Sequence, residues 1–265
     1  MKESIYRVFI ELTNKKWTSN LLKIFTQSSL SRPLIKSFAK VYKINQNEME
    51  YPLAHYRSLH DFFIRRLKPG CRPIMTGEDS VISPVDAEIE EIGTITLLNK
   101  MMVKGKEYSI VDLLGDENIA EKYIGGTYMV LYLSPTNYHR IHSPITAEVI
   151  QQWELGVHSY PVNKWGLKYG REPLSKNYRS ITELRTPNGH LVVAKIGAMF
   201  VNSIERIHSN NVWQKGEEVA YFSFGSTVVL LFEEGTFSKD ENIIIPTQVK
   251  VGQLLGKLHK GIPLP

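Results

Sequence analysis

Residues 221–233 read Tyr-Phe-Ser-Phe-Gly-Ser-Thr-Val-Val-Leu-Leu-Phe-Glu and place a Gly-Ser-Thr step directly before an apolar, β-branched run. Such a run predicts a buried strand over residues 228–232. Gly225 can adopt backbone conformations that a residue with a Cβ resists, so a tight turn is expected at Gly225-Ser226. That turn, braced by the strand, would hold the Ser226 hydroxyl close to the Gly225 carbonyl carbon. The stretch therefore suits attack by a serine on its own peptide bond, although most Gly-Ser pairs are simply turns.

Length and composition indicate a globular protein. The 265 residues can form one large domain, or one domain with an appendage. A hydrophobic share of 42% and a charged share of 22% argue against a disordered chain. The single cysteine, Cys71, excludes an internal disulfide framework and fits a reducing compartment. We find no internal repeat, signal peptide or uninterrupted 18-residue apolar window, so neither export nor a membrane span is expected.

The positive charge is concentrated near the N-terminus. Residues 1–40 contain eight Lys or Arg and two Glu, a net charge of +6, whereas the whole chain carries +5. A basic segment on a nearly neutral body indicates an anionic partner, either lipid headgroups or nucleic acid. Nucleic acid is disfavoured, because the basic residues lie on an amphipathic segment without interleaved aromatic stacking positions.

Residues 1–42 are predicted to be helical, because apolar residues recur there at helical spacing in two runs. Ser31 and Pro33 provide a start signal for the second run. The runs contain Ile5, Val8, Phe9 and Leu12, and then Leu34, Phe38, Val41 and Tyr42. The opposite face of the second helix carries Arg32, Lys36 and Lys40. This pattern is typical of a helix in a membrane interface, and equally of a surface helix docked on a core.

The rest of the chain is predicted to be mainly β. Ser58 and Asp61 resemble a capping box that opens a short helix, which Pro69-Gly70 ends. Predicted strands follow at residues 88–96, 127–133, 146–153, 180–184, 191–196, 218–222 and 228–232. This spacing favours packed sheets or a barrel-like core over a doubly wound sheet. We therefore predict an α+β fold, with a helical, membrane-docking segment at residues 1–72 and a β-rich catalytic domain at residues 73–265.

Four segments, in order along the chain, carry a resemblance to a known family. They are Ser83-Pro84-Val85-Asp86, Tyr138-His139-Arg140-Ile141-His142-Ser143-Pro144, Lys215-Gly216-Glu217-Glu218 and Phe224-Gly225-Ser226-Thr227. Weaker matches lie at residues 62–70 and 160–163. This ordered set resembles the bacterial-type, pyruvoyl-dependent phosphatidylserine decarboxylases, in which the Gly-Ser-Thr motif is the site of self-cleavage.

The resemblance implies a proenzyme that cleaves itself between Gly225 and Ser226. It assigns Ser226 as the nucleophile, His142 as the base that takes its proton and Asp86 as the carboxylate that orients the base. Elimination and loss of ammonia would then leave a covalent pyruvoyl group at residue 226. His139 is implied as the acid that protonates the substrate carbanion.

The same resemblance implies the substrate and the cofactor. The pyruvoyl group would form a Schiff base with phosphatidylserine and accept electrons as carbon dioxide leaves, giving phosphatidylethanolamine. Neither pyridoxal phosphate nor a metal is then expected. Expected partners are phosphatidylserine in an anionic membrane and the two cleavage fragments as a heterodimer, with a homodimer left open and no nucleic acid. The expected location is peripheral, on the cytoplasmic face of the cell membrane.

Three other interpretations compete with this one. His139 and His142 are three residues apart and could share a metal on a helix, but the chain lacks a His-Glu-x-x-His motif. A lipid or ester hydrolase could use Ser226, His142 and Asp86 without self-cleavage, but no Gly-x-Ser-x-Gly elbow surrounds Ser226. A non-catalytic binding protein built on the basic segment is the third.

Overall fold

The computed structural model describes residues 23–162, 166–167, 172–198, 204–223 and 226–260. The predicted α+β class with a mainly β core is confirmed, as packed sheets without a closed barrel. The described helices are α1 (Leu34–Val41), α2 (Leu59–Phe63), α3 (Ile110–Leu114), α4 (Glu117–Glu121) and α5 (Pro173–Lys176). The strands are β1 (Ser80–Ile82), β2 (Ala87–Thr94), β3 (Lys100–Val103), β4 (Lys106–Ser109), β5 (Thr127–Leu133), β6 (Arg140–His142), β7 (Ala147–Leu155), β8 (Arg179–Thr186), β9 (Gly189–Gly197), β10 (Ile204–Arg206), β11 (Val212–Trp213), β12 (Glu218–Phe222), β13 (Ser226–Phe232), β14 (Phe237–Lys239), β15 (Thr247–Val249) and β16 (Leu254–Leu258).

An eight-stranded antiparallel sheet forms the centre of the molecule, in the order β11-β7-β8-β9-β13-β5-β2-β15. Every residue of β13 is buried, because β5 and β9 pair with its two edges and both of its faces are covered. Successive side chains of a strand point to opposite faces of the sheet. Val228 and Leu230 accordingly belong to one apolar core, and Val229 and Leu231 to another.

The two faces of the central sheet are covered differently. On the Val228 face lie two three-stranded sheets, β1-β16-β14 and β10-β12-β6. The Val229 face is covered by the hairpin β3-β4 and by residues of α3, α4 and α5. The result is a three-layer arrangement in which β13 lies in the middle layer.

The structure contains an internal repeat that the sequence reading missed. Residues 81–88 read Val-Ile-Ser-Pro-Val-Asp-Ala-Glu, and residues 141–148 read Ile-His-Ser-Pro-Ile-Thr-Ala-Glu. The first segment joins β1 to β2, which pair with β16 and β15. The second joins β6 to β7, which pair with β12 and β11. The two copies therefore have the same strand arrangement.

The two Ser-Pro turns of this repeat are hydrogen-bonded to each other. The amide of Ile82 donates to the carbonyl of Pro144 at 2.9 Å, and the amide of His142 donates to the carbonyl of Pro84 at 2.8 Å. This reciprocal pair fixes the separation of the two turns. Asp86, which follows Pro84, and His142, which precedes Pro144, are thereby held in one region.

Equivalent glycines lie three residues after β11 and β15, the strands that pair with the two copies of the repeat. Gly216 and Gly252 have φ values of +79° and +88°, and their amides donate to the carbonyls of Ser143 and Ser83. A Cβ at Gly216 would lie 2.8 Å from the side chain of Ile74, so a side chain at this position is strained twice over.

The N-terminal segment differs from its prediction in one respect. In α1 the buried residues are Ile35 and Ala39, while Phe38 is half-buried against the rings of Phe62 and Phe63. Leu34 and Val41 are exposed. The predicted single apolar stripe is thus divided into an inward face and an outward face. The predicted run from Ile5 to Leu12 lies outside the described residues.

The short helix α2 begins as predicted, with the amide of Asp61 donating to the Ser58 hydroxyl at 3.1 Å. It ends at Phe63, well before the predicted stop at Pro69-Gly70. No described helix is long and apolar enough to cross a membrane.

Candidate active site

Ser226 is the first residue of β13, so the strand starts two residues before its predicted position. Its partners in register are Leu133 of β5 and Gly197 of β9. Since side chains alternate along the strand, Ser226 shares the face of Val228 and Leu230 and points towards the small sheet that contains β6. Phe224 and Gly225, and with them the predicted cleaved bond, lie outside the described residues.

The hydroxyl of Ser226 is fully buried and has no hydrogen-bond partner among the described residues. The hydroxyl of Thr227 is in the same situation. An unsatisfied buried hydroxyl costs roughly 1–3 kcal/mol, so such groups are rare and are concentrated at reactive sites.

His142 ends β6 and is held by both ring nitrogens. Its Nδ1 lies 2.7 Å from the carbonyl oxygen of Gly216, and its Nε2 lies 3.3 Å from the hydroxyl of Tyr138. Because a carbonyl can only accept, Nδ1 carries the proton and Nε2 is the basic nitrogen. Burial lowers the pKa of His142 below its ordinary value, and the bond to Gly216 and the charge of Glu218 only partly offset this.

Asp86 is bound by an arginine. Arg72 donates from Nε and Nη2 to its carboxylate at 2.9 and 2.5 Å, and the amide of Val251 donates to it at 2.9 Å. The same Nη2 also donates to Glu48 at 2.9 Å. The negative charge of Asp86 reaches His142 and raises its pKa slightly. The carbonyl of Gly216, however, occupies the Nδ1 position that a triad carboxylate would take.

His139 lies immediately before β6 and is completely buried. Its Nδ1 donates to the carbonyl of Asn137 at 2.9 Å, and its Nε2 has no partner among the described residues. The ring packs 4.0 Å from that of Phe63. Burial, with a contribution from the charge of Arg65, lowers the pKa of His139 to about 3. The imidazole is therefore neutral at physiological pH, with an unprotonated Nε2.

The predicted site residues lie at one end of the central sheet. Ser226 pairs with Leu133, from which a short loop leads to His139. The amide of Phe222, four residues before Ser226, donates to the carbonyl of His139 at 3.0 Å. The amide of His142 is tied to Pro84, two residues before Asp86. The internal repeat thus supplies Asp86 from one copy and His142 from the other.

Sequence reasoning missed several residues that hold this site. Tyr138 and Gly216 both lie in motifs that we quoted, but nothing in the sequence shows that they bind His142. Arg72 could have been noticed as a cation beside the matched residues 62–70, yet its pairing with Asp86 joins distant segments.

Two alternatives are less compatible with this geometry. Among the described residues, no group of three or more His, Cys, Asp or Glu side chains could hold a metal ion. A strand, and not a helix, follows Ser226, whereas the nucleophile elbow of α/β-hydrolases requires a helix.

Comparison with known proteins identifies the family of this chain. The sequence profile of the phosphatidylserine decarboxylase family matches residues 59–257. The chain is 59% identical to the phosphatidylserine decarboxylase proenzyme of Anoxybacillus flavithermus, over 97% of both chains. It is 55% identical to the proenzyme of the same name from Geobacillus sp. strain WCH70, over 97% of this chain and 100% of the relative. With a profile match over most of its length and relatives of this similarity, the chain belongs to the phosphatidylserine decarboxylase family.

Proposed function

We propose that this chain is a proenzyme that cleaves itself between Gly225 and Ser226 and then converts phosphatidylserine to phosphatidylethanolamine and carbon dioxide. The observation that carries the proposal is the buried hydroxyl of Ser226 at the start of the central strand, which has no hydrogen-bond partner in the described part of the chain. It lies at the same end of the sheet as two neutral histidines. Family membership supports the same activity.

In the self-cleavage step, His142 acts as the base. Its Nδ1 proton is engaged by Gly216, so Nε2 carries the lone pair, which exchanges its hydrogen bond from the Tyr138 hydroxyl for the proton of the Ser226 hydroxyl. The lowered pKa keeps His142 unprotonated at neutral pH. The Ser226 oxygen attacks the Gly225 carbonyl carbon and the peptide C–N bond breaks, which gives an ester. Elimination releases Gly225 as a carboxylate, and hydrolysis of the resulting dehydroalanine releases ammonia.

Asp86 holds the first turn of the repeat against residue 251, with its charge neutralised by Arg72. Its position, two residues after the carbonyl that binds the amide of His142, makes it a positioning residue for that base. Asp86→Asn is therefore expected to slow cleavage, by disturbing this turn.

The surroundings of residue 226 fit the pyruvoyl group implied by the family. The Ser226 oxygen has no hydrogen-bond partner among the described residues and lies in a buried, apolar environment. The bound group supplies the electron sink for decarboxylation. His139 supplies the proton. Its Nε2 is the nitrogen that would carry this proton, and the negative charge of a bound substrate would offset the burial and the charge of Arg65 that lower the pKa of the free side chain.

The N-terminal segment provides a surface for docking on an anionic membrane. We define the docking face by the exposed apolar residues Ile24, Leu30, Leu34 and Val41. The exposed cations Lys36 and Lys40 lie on the other side of α1, from which their long side chains can reach anionic headgroups. Leu30 and Val41 are 77% and 68% exposed, and a group of exposed apolar residues on one segment is typical of a surface that binds a protein or a membrane. A membrane-docking role keeps the enzyme at the surface where its lipid substrate resides.

Release of carbon dioxide from carboxyl-labelled phosphatidylserine tests the proposed activity. Ser226→Ala is expected to remain uncut and inactive, and His142→Ala uncut or slowly cut. The exposed residues Ser238 and His259 give the matched controls, Ser238→Ala and His259→Ala. An active Ser226→Ala protein would contradict the proposal.

Vesicle binding tests the docking face separately. Each cation near an anionic surface contributes about 1 kcal/mol, so Lys36→Glu with Lys40→Glu should weaken vesicle binding by at least roughly 30-fold. Turnover in detergent micelles should change far less. The charge-matched control is Lys257→Glu with Lys260→Glu, at exposed positions near the C-terminal end of the described chain. Equal losses in vesicles and micelles would mean that α1 supports only the fold.

A further inference from the structure

The proposed mechanism does not use Arg65, a buried arginine beside His139. Arg65 follows α2 and is 4% exposed. Its Nη2 donates to the carbonyls of Thr136 and Asn137, both at 3.1 Å. Its Nε and Nη1 are buried and have no hydrogen-bond partner among the described residues. Two of its polar nitrogens are therefore shielded from water without compensation, which is costly for a cation.

The charge of Arg65 is only partly compensated, because its guanidinium carbon lies 5.5 Å from the centre of the Phe62 ring. No described carboxylate lies within ion-pair distance of it, and the carboxylate that acts on it most, Asp86, is already bound by Arg72. Burial lowers the pKa of Arg65 to about 10, so the guanidinium is still protonated at neutral pH. The active-site end of the sheet thus contains a buried positive charge without an anionic partner among the described residues.

The neighbours of Arg65 have unused polar atoms as well. Arg65 shares the carbonyl of Asn137 with Nδ1 of His139, whose Nε2 has no partner among the described residues. It also lies over the ring of Phe62, against which Tyr56 packs, and the buried hydroxyl of Tyr56 donates to no described group. Two guanidinium donors, a phenol donor and an imidazole nitrogen are therefore available in one buried region. Arginine and tyrosine donors of this kind are suited to the oxygens of a phosphate or a carboxylate.

We infer that Arg65 binds the phosphodiester group of the substrate headgroup, an inference that rests on the proposed function. In phosphatidylserine the phosphorus is joined to the α-carbon through one oxygen and one methylene carbon. A residue that holds the phosphate and a residue that exchanges a proton with the α-carbon must therefore be neighbours. Arg65 and His139 are neighbours, because both donate to the carbonyl of Asn137.

The carboxylate is the less suitable anion for Arg65. Its negative charge moves away from the oxygens as carbon dioxide leaves, so a cation bound there would stabilise the ground state and slow the reaction. The charge of the phosphodiester does not change during the reaction. A cation bound to it strengthens binding of substrate and transition state alike.

The test compares water-soluble headgroup fragments as inhibitors of the processed wild-type enzyme. Glycerophosphoethanolamine is expected to compete with substrate at least tenfold more strongly than ethanolamine, which lacks the phosphate. In Arg65→Gln this ratio should fall at least about tenfold. The adjacent Arg66, which is exposed, provides the matched control Arg66→Gln, in which the ratio should not change.

Three results would overturn the inference. The first is equal inhibition of the wild type by ethanolamine and glycerophosphoethanolamine, which needs no variant to fold. The second is an unchanged ratio in a processed Arg65→Gln enzyme of lowered kcat, as expected if Arg65 only anchors the loop at Thr136. The third is an Arg65→Gln enzyme that is inhibited more weakly than the wild type by glycerophosphoserine, but equally by glycerophosphoethanolamine. That result is expected if Arg65 binds the carboxylate. A wild type that releases no carbon dioxide would instead refute the proposed function.

Discussion

Replacing Arg72 by methionine should destabilise the protein strongly, because it leaves Asp86 buried without its cation. The two side chains are only 10% and 7% exposed, and Arg72 makes contacts of 2.9, 3.2 and 2.5 Å with the carboxylate. Breaking a buried ion pair by removing one partner costs about 3–5 kcal/mol. For a chain of this size, that corresponds to a decrease in Tm of roughly 6–20 °C.

The matched control is Arg185→Met. Arg185 approaches Glu148 at 2.5 Å, as Arg72 approaches Asp86, but these side chains are 55% and 48% exposed. An exposed pair contributes about 0–1 kcal/mol. Both substitutions are made in the Ser226→Ala background, so that every sample is one uncut chain, and are compared by urea denaturation. Equal losses for Arg72→Met and Arg185→Met would refute the buried pair. Relief of the loss on adding Asp86→Asn would support it.

Three further outcomes follow from buried groups and from the repeat. The pKa of His139 is lowered from 6.5 to about 3, so between these two pH values protons bind the unfolded chain more tightly than the folded one. The free energy of unfolding of the wild type should therefore fall, relative to that of His139→Asn, by about 1.4 kcal/mol per pH unit below pH 6. Burial lowers the pKa of Lys195 to about 7 from 10.5, so stability should fall relative to Lys195→Met as the pH drops from 10 to 7; parallel urea denaturation midpoints across pH would contradict either expectation. Gly216→Ala and Gly105→Ala both place a side chain at a positive φ, of +79° and +73°, but only Gly216 holds His142, so only its substitution should slow cleavage on a gel.

The strand pattern was largely predictable from the sequence, because the central sheet is built from apolar, β-branched runs. Residues 127–133 and 218–222 form strands with the predicted limits. The start of β13 was predicted at Val228, since Ser226 and Thr227 have polar side chains. In the structure, β5 and β9 pair with both residues and extend the strand to Ser226. Tertiary pairing here overrides the local preference.

The connections between distant segments could not be predicted. Each copy of the repeat differs at the positions that carry chemistry, where Asp86 corresponds to Thr146 and His142 to Ile82. These differences conceal the similarity of the two turns. The reciprocal hydrogen bonds through Pro84 and Pro144, which bring the copies together, are made by the backbone and leave no mark on the sequence.

The assignment of Phe38 to a membrane-facing stripe failed for a related reason. Helical periodicity shows that Leu34, Phe38 and Val41 share a side of α1, but not which neighbour covers part of it. Phe62 and Phe63 of α2 draw Phe38 inward and leave Leu34 and Val41 exposed.

An intact-mass spectrum of the denatured, purified protein tests the central claim most directly. Self-cleavage between Gly225 and Ser226 predicts two chains, residues 1–225 and residues 226–265. The smaller chain should weigh roughly 4.6 kDa, scaled from 30.3 kDa for the whole chain, and be lighter by one molecule of ammonia than a peptide with N-terminal serine. A single uncut chain in a preparation that decarboxylates phosphatidylserine would contradict the account.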